Sequence, residues 1–322
     1  MSHTSAIVLS SFIVVKFEII NIDVAYESFD SSRISLNWLD SYLSSRPDVL
    51  TNIDFFMPGE RSSNQVYTRF DLFERNSKNP DVMVSPLYLE LFEFSGIGDQ
   101  IVPYVQNLCN RYKDHLVVFQ WNHDNDFSEY SNQIDNIPNA RIINLGDSAV
   151  VGKNDILVHR WAINTKKYSE PKTRFSCFIG SINNAFRYNL MQSIITRNDP
   201  NLIYMSNIPH EEYLKTMSSS LFSLCPMGGP GRGGFSYRFF ECLHLNTIPV
   251  LMVDNIIFPY THIVDWSKLC IKINQQDSLN LDFLLERMQK SDSDEMLNYI
   301  NETRLVFTLG GAQEEIYKRL SS

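Results

Sequence analysis

The sequence predicts an α/β protein with two parallel sheets, one in each half of the chain. Apolar runs typical of buried strands alternate with segments of helical spacing, and this alternation is typical of parallel sheets. The chain has 322 residues, of which 43% are hydrophobic, and this is enough for two domain cores of ordinary size. In the second half, a glycine-rich loop stands between a strand and a helix, as in nucleotide-binding α/β units.

In the first half, short apolar runs indicate the strands of one sheet. Strands are predicted within 7–24 and over Ile53–Met57, Asp81–Leu89, His115–Trp121, Ala140–Leu145 and Asp155–Trp161. Helices are predicted over Ser35–Leu43 and Gln100–Tyr112, with loop and short helix over Arg61–Lys78. The polar cluster Asn122–Asp126 directly follows a strand, at the end of the sheet where open α/β proteins bind ligands.

The polar segment Asn164–Lys172 is the predicted linker, and it divides the chain into domains 1–165 and 166–322. Strands of the second domain are predicted over Phe175–Gly180, Asn201–Ser206, Leu221–Cys225, Ile248–Val253 and Asp265–Asn274. Helices are predicted from Asn184 and over Glu211–Ser218, Ser236–Leu245, Leu281–Gln289, Asp294–Thr308 and Ala312–Leu320. The last helices can also pack back on the first domain.

The glycine-rich loop and the helix after it form the candidate ligand site. Five glycines lie within residues 228–234, before a helix N-terminus whose free N–H groups and dipole favour a phosphate. Arg238 and Glu241 are three residues apart and share one helix face, where an arginine can hold phosphate and a carboxylate can accept bonds from ribose hydroxyls. The alternative is a surface ion pair, but the preceding loop favours a ligand site.

Charge and composition exclude several classes of protein. The net charge is -9 and no run of lysines and arginines forms a basic groove, so a nucleic-acid partner is not expected. The five cysteines are widely spaced in apolar runs, which predicts reduced core residues. The apolar stretch Ala6–Ile22 is interrupted by Lys16 and Glu18, so we expect no transmembrane segment, a cytoplasmic protein, and at most peripheral contact with a membrane.

Several motifs, in the right order, resemble the exostosin-like glycosyltransferases over roughly residues 80–290. The second half carries Cys225-Pro226, the Ser-x-Arg-x-x-Glu helix at 236–241 and Ile248-Pro249-Val250. The first half carries the strand at 81–91 and the pair His123-Asp124, and Phe178, Gly180 and Arg187 resemble the elements that open the family's second domain.

The resemblance implies a GT-B fold, in which two Rossmann-like domains face one another across a cleft. It implies a glycosyltransferase, inverting and with neither cofactor nor metal, that moves a sugar from a UDP-sugar to a glycan or polysaccharide acceptor. His123 is then the candidate base, with Asp124 beside it on the acceptor side; alternatively, His123 caps the strand and Asp124 forms a turn. The implied donor-binding residues are Gly228, Gly231, Arg232, Gly233, Ser236, Arg238, Glu241 and Arg187.

The chain departs from the family pattern at two positions. Met227 stands where an arginine often follows the cysteine-proline pair, so the phosphate contact could move to Arg232. Asn246 replaces a glycine before the Ile-Pro-Val strand, and asparagine tolerates the left-handed conformation that a helix end needs. Two other functions compete: a binding protein without turnover, and a Rossmann dehydrogenase, which is disfavoured because the loop departs from GxGxxG.

Overall fold

The structure is a computed structural model of the whole chain. It describes residues 15–21, 24–25, 27–30, 73–75, 79–89, 92–93, 96–121, 128–144, 152–158, 170–227 and 235–321. The predicted helix Ser35–Leu43 and strand Ile53–Met57 lie outside these residues, as does most of the predicted linker.

The first half forms a parallel sheet of six strands. In chain order its elements are β1 (Val15–Ile19), β2 (Phe73–Arg75), β3 (Val82–Tyr88), α1 (Ile101–Arg111), β4 (Leu116–Trp121), α2 (Ser128–Ile134), β5 (Ala140–Asn144) and β6 (Asp155–Leu157). The strand order across the sheet is β2-β1-β3-β4-β5-β6, and all neighbouring pairs are parallel.

The second half forms a parallel sheet of five strands. Its strands and the helices between them are β7 (Arg174–Ile179), α3 (Ala185–Arg197), β8 (Leu202–Met205), α4 (His210–Ser218), β9 (Ser220–Pro226), α5 (Tyr237–His244), β10 (Ile248–Met252), α6 (Trp266–Leu269) and β11 (Ile271–Ile273). The chain ends with α7 (Gln275–Ser278), α8 (Leu281–Gln289), α9 (Ser293–Thr303) and α10 (Leu309–Leu320). The order is β11-β10-β9-β7-β8 and all neighbouring pairs are parallel, which confirms the predicted α/β class with two parallel sheets.

The strand order creates a crevice at one place in the second sheet. From β7 the chain moves outward to β8, whereas from β9 it moves outward in the opposite direction to β10 and β11. At such a topological switch point the two outgoing connections diverge, and open α/β sheets bind ligands beside the carboxyl ends of the two strands. The switch point lies between Ile179 at the end of β7 and Pro226 at the end of β9.

Several element predictions were wrong in detail. The predicted strand Asp265–Asn274 is a short helix followed by a short strand, because the Asp265 side chain accepts a hydrogen bond from the Ser267 N–H and caps α6. The helix predicted to reach Thr308 ends at Thr303, since a 3₁₀ turn follows and Thr308 itself caps α10. Within the loop predicted over Arg61–Lys78, residues Phe73–Arg75 form β2.

The hydrophobic residues form two clusters. The smaller one lies between α1 and one face of the first sheet, and includes Tyr104, Phe119 and Trp121. The larger one contains the core of the second sheet together with residues from the other face of the first sheet and from α10, such as Val118 and Ile316. The domain boundary at 165 and the packing of the last helices on the first domain stay predictions.

Two smaller predictions are confirmed. All five cysteines are free and buried, as expected for reduced core residues. Asn246 has a φ of 53°, the left-handed conformation predicted for it at the end of α5. Among the described residues, we find no helix with the length and apolar character needed to cross a membrane.

Candidate functional site

The switch point of the second sheet brings together two buried arginines. Arg187 comes from the first turn of α3, which follows β7, and Arg238 comes from the first turn of α5, which follows β9. Only 4% of Arg187 and 9% of Arg238 are exposed to solvent. Burial, and then the neighbouring charge of Arg238, lowers the pKa of Arg187 to about 10. The site therefore concentrates positive charge in a protein whose net charge is -9.

Arg187 uses its side chain to hold the ends of the two strands. Its Nε donates to the Met227 carbonyl at 2.6 Å, Nη2 donates to Pro226 at 3.0 Å and Nη1 donates to Ser181 at 3.2 Å. The start of α3 is fixed as well, because Asn184 caps it by accepting a hydrogen bond from the Arg187 N–H. Arg187 thus ties the segment after β7 to the segment after β9. A role in donor binding stays a prediction for this residue.

Arg238 is buried without comparable partners. Its Nε and Nη1 atoms have no hydrogen-bond partner in the part of the chain that the structure describes. The guanidinium lies against the Phe178 ring, with Cζ 5.5 Å from the ring centroid. It also lies against Gly180, where a Cβ atom would stand 2.0 Å from Nη2. Only glycine leaves room for the arginine at this position, and the two unpaired N–H donors are of the kind that pair with anionic oxygens.

Glu241 is half-buried one turn further along α5, whereas Arg238 is buried and neither its Nε nor its Nη1 bonds to Glu241. Its carboxylate instead accepts a hydrogen bond at Oε2 from the phenol of Tyr213, a residue of α4. The predicted alternative of a surface ion pair between Arg238 and Glu241 is therefore wrong. The two side chains have separate surroundings, one cationic and buried and the other anionic and reachable from solvent.

Ser236 stands immediately before α5 at its N-cap position, with an extended backbone. Its hydroxyl makes no capping bond, and its Oγ is buried without a partner among the described residues. The N-terminal N–H groups of α5 and this hydroxyl thus adjoin the end of the glycine-rich loop, which suits a phosphate. Packing of the Phe235 ring on Phe239, at 4.8 Å between centroids, fixes this end of the helix.

Other predicted site residues cannot be placed. Gly228, Gly231, Arg232 and Gly233 lie outside the described residues, and so do His123 and Asp124. Their predicted roles in donor binding and catalysis stay predictions.

Met227, which replaces the family's arginine, is buried, and its sulfur accepts a hydrogen bond from Gln275 Nε2 at 3.0 Å. The Asp254 carboxylate accepts a hydrogen bond from the N–H of Gln275, the first residue of α7, at 2.9 Å, so it links the segment after β10 to the start of α7.

Two features of the site were missed by sequence reasoning. Tyr213 lies 28 residues before Glu241 and Gly180 lies 58 residues before Arg238, so neither contact follows from helical spacing. Two surface cavities of about 570 and 490 Å³ flank Trp266, but neither is lined by Arg238 or Glu241. No group of three or more His, Cys, Asp or Glu side chains in the described part of the chain is arranged to hold a metal ion.

Comparison with known proteins places these observations in a family. The model of the exostosin GT47 domain matches residues 110–288, more than half of the chain, and includes the whole described site. A probable glucuronosyltransferase of Oryza sativa subsp. japonica is 28% identical over 85 residues, which cover 26% of this chain and 19% of that protein. An exostosin-1 homolog of Caenorhabditis elegans is 34% identical over 74 residues, which cover 23% of this chain and 19% of that protein. The matched segments thus span about a fifth of these curated relatives.

Two solved structures resemble the chain as a whole. Anabaena HepE in complex with UDP and glucose has a TM-score of 0.44 at 9% identity, covering 95% of this chain and 99% of that one. An α1,3-fucosyltransferase has a TM-score of 0.43 at 11% identity, covering 97% and 91% respectively.

Proposed function

The chain belongs to the exostosin GT47 family, and we propose that it is a glycosyltransferase that moves a sugar from a nucleotide-diphosphate donor to a glycan acceptor. The chain has two parallel α/β sheets and belongs to this family. These two findings confirm the GT-B fold class expected from the sequence. The curated relatives carry names of glucuronosyltransferases and of an exostosin, which supports sugar transfer as the reaction. We propose a UDP-sugar as donor.

One observation carries the proposal: Arg238 is buried at the switch point with Nε and Nη1 unpaired among the described residues. Leaving a buried charged group without partners is unfavourable by several kcal/mol or more, so such a group is retained where a ligand completes its bonds. A diphosphate supplies acceptor oxygens in the planar arrangement that a guanidinium matches. Glu241, one turn away, supplies the acceptor for ribose hydroxyls.

The proposed reaction is a single displacement with inversion and without a bound metal. A base removes the proton of the acceptor hydroxyl, the acceptor oxygen bonds to the anomeric carbon, and the bond from that carbon to the diphosphate breaks. The negative charge that develops on the diphosphate falls on Arg238 and the N-terminus of α5. His123 is the proposed base, because the ordinary pKa of histidine lies near neutrality. Proton NMR of the product anomer tests inversion, and retention would contradict it.

Donor binding is tested by the melting temperature with UDP and GDP. At a ligand concentration a hundred times Kd, wild type should gain about 3 kcal/mol of stability, which is a shift of roughly 5 °C or more. Arg238→Met should lose most of this shift. Arg197→Met is the matched control, because Arg197 is on α3 in an exposed pair with Asp282. A wild type that no nucleoside diphosphate stabilises would contradict the proposal.

Gly180→Ala tests the same site by displacing the Arg238 side chain instead of replacing it. The new Cβ would meet Arg238 Nη2, which is the far end of a flexible side chain, so the guanidinium should move. Because Gly180 has a φ of 159°, alanine also strains the backbone there, and we expect a lower melting temperature in the absence of ligand. We expect the ligand-induced shift to fall by more than half without loss of the melting transition.

Transfer to a panel of glycan acceptors separates a glycosyltransferase from a binding protein without turnover, because the binding protein would bind the nucleotide and transfer nothing.

A further inference from the structure

The carboxylate of Glu241 is held by a single described partner, the phenol of Tyr213. Tyr213 lies on α4, which leads through Ser219 directly into β9, the strand that ends at the switch point. Its ring also stacks on His210 of the same helix, with centroids 5.7 Å apart and planes 19° apart. The phenol is therefore fixed by its own helix, and it in turn fixes a side chain of α5.

The chemistry of this contact differs from that of a structural ion pair. An arginine or lysine beside Glu241 would neutralise the carboxylate and weaken it as an acceptor of further bonds. A phenol donates one hydrogen bond and leaves the negative charge in place. An ionised carboxylate offers about four lone-pair positions, so one bond to Oε2 leaves Oε1 and part of Oε2 for other donors.

The phenol also stays a donor at any ordinary pH. Burial, and then the negative charge of Glu241, raises the pKa of Tyr213 far above its usual value. The hydrogen bond thus has one direction, from Tyr213 to Glu241. Glu241 itself is only half-buried, so the remaining lone pairs of its carboxylate can reach a ligand.

We propose that Tyr213 is a positioning residue that orients Glu241 to accept hydrogen bonds from the vicinal hydroxyls of a ribonucleoside diphosphate. The proposal rests on the function proposed above and adds the residue that makes the site select a ribose. Arg238 binds the diphosphate, which every nucleoside diphosphate carries, whereas the Tyr213–Glu241 pair recognises the ribose. A nucleotide without ribose hydroxyls should gain nothing from the pair.

Calorimetric binding of two ligands tests this, namely UDP and 2′,3′-dideoxy-UDP, which lacks both hydroxyls. Wild type should bind UDP about 10- to 100-fold more tightly than the dideoxy ligand, as expected for hydrogen bonds to a charged group. Tyr213→Phe should weaken UDP binding by about 5- to 10-fold and change dideoxy-UDP binding less than twofold. Tyr299→Phe is the matched control, because this half-buried tyrosine accepts a bond from the Asp265 N–H away from the site.

A second variant keeps the test decisive if Tyr213→Phe does not fold. Glu241→Asp keeps the charge but withdraws the carboxylate from the phenol, so the preference for UDP should fall to roughly threefold or less. Equal weakening of both ligands by Tyr213→Phe, or an unchanged preference in both variants, would overturn the positioning role and leave the proposed function standing. If wild type binds neither ligand, both proposals are wrong.

Discussion

The starts of α3 and α5 each place a buried arginine at the same switch point, yet the two arginines differ in their hydrogen bonds. Three nitrogens of Arg187 donate to backbone carbonyls of residues 181, 226 and 227. Nε and Nη1 of Arg238 have no partner among the described residues. Burial alone therefore does not identify a binding residue. The hydrogen bonds that each buried charge makes distinguish Arg187, which holds the fold, from Arg238, which is proposed to bind the donor.

The largest expected effect tests this difference in the absence of any ligand. Arg187→Met should lower the free energy of unfolding by about 3 kcal/mol or more, because it leaves buried carbonyls unpaired. Arg238→Met should raise it by about 1 kcal/mol or more, because it removes an unpaired buried charge and keeps the apolar stem. Urea unfolding of the two variants at pH 7 measures both values.

Arg197→Met on α3 serves as the control, since its ion pairs with Asp199 and Asp282 are exposed to solvent and should contribute little to stability. If Arg238→Met lost as much stability as Arg187→Met, the distinction between the two arginines would fail. In that case Arg238 would belong to the structural frame of the second sheet.

The comparison between Arg187 and Arg238 also shows which features of the fold and the site can be predicted from the sequence. The strands β4, β7, β9 and β10 were predicted because they are apolar runs, and the helix α5 because of its spacing and the loop before it. Helix α2 was missed, since its sequence SEYSNQI is mostly polar and only a few of its side chains face inward. Arg238 could be selected from its motif, but the different bonding of Arg187 could not, because its partners lie 39 and 40 residues away.

A half-buried carboxyl in the first sheet, that of Asp155 at the start of β6, shares one feature with each of the two arginines. Asp155 accepts a hydrogen bond from the Gly152 N–H at 3.2 Å and another from Asn144 Nδ2 at 3.4 Å, but no described cation pairs with it. Burial raises the pKa of Asp155 to about 7 from 3.8, against the effect of these bonds. Asp155 thus has hydrogen-bond partners, as Arg187 does. Like Arg238, it has no paired opposite charge among the described residues.

The predicted consequence is a pH-dependent stability. The pKa is raised in the folded state, so the protonated carboxyl stabilises the fold at acid pH, and this stability is lost as the pH rises from 3.8 through 7. Asp155→Asn should therefore gain about 2.5 kcal/mol relative to wild type between pH 5 and pH 8. Urea unfolding at the two pH values measures it, with the exposed Asp282→Asn as control. A constant difference between Asp155→Asn and wild type would show that the carboxyl is not perturbed.

The smallest expected effect concerns an unpaired buried amide in the first sheet. Gln120 near the carboxyl end of β4 is fully buried, and both its Oε1 and its Nε2 lack a hydrogen-bond partner among the described residues. It is the neutral counterpart of Arg238. Gln120→Met, which has nearly the same shape, should raise the free energy of unfolding by about 1 kcal/mol because an unpaired buried amide is removed. Thr247 serves as the comparison, because it is a buried polar side chain that does have hydrogen-bond partners.

Thr247 is equally buried, but its hydroxyl donates to the Met217 carbonyl at 2.8 Å and accepts a bond from Lys172 Nζ at 3.2 Å. Thr247→Val should therefore lose roughly 1 to 2 kcal/mol where Gln120→Met gains. Urea unfolding of both variants decides the matter. A loss in Gln120→Met as large as in Thr247→Val would mean that the amide has partners, and Gln120 would then hold the fold as Arg187 does.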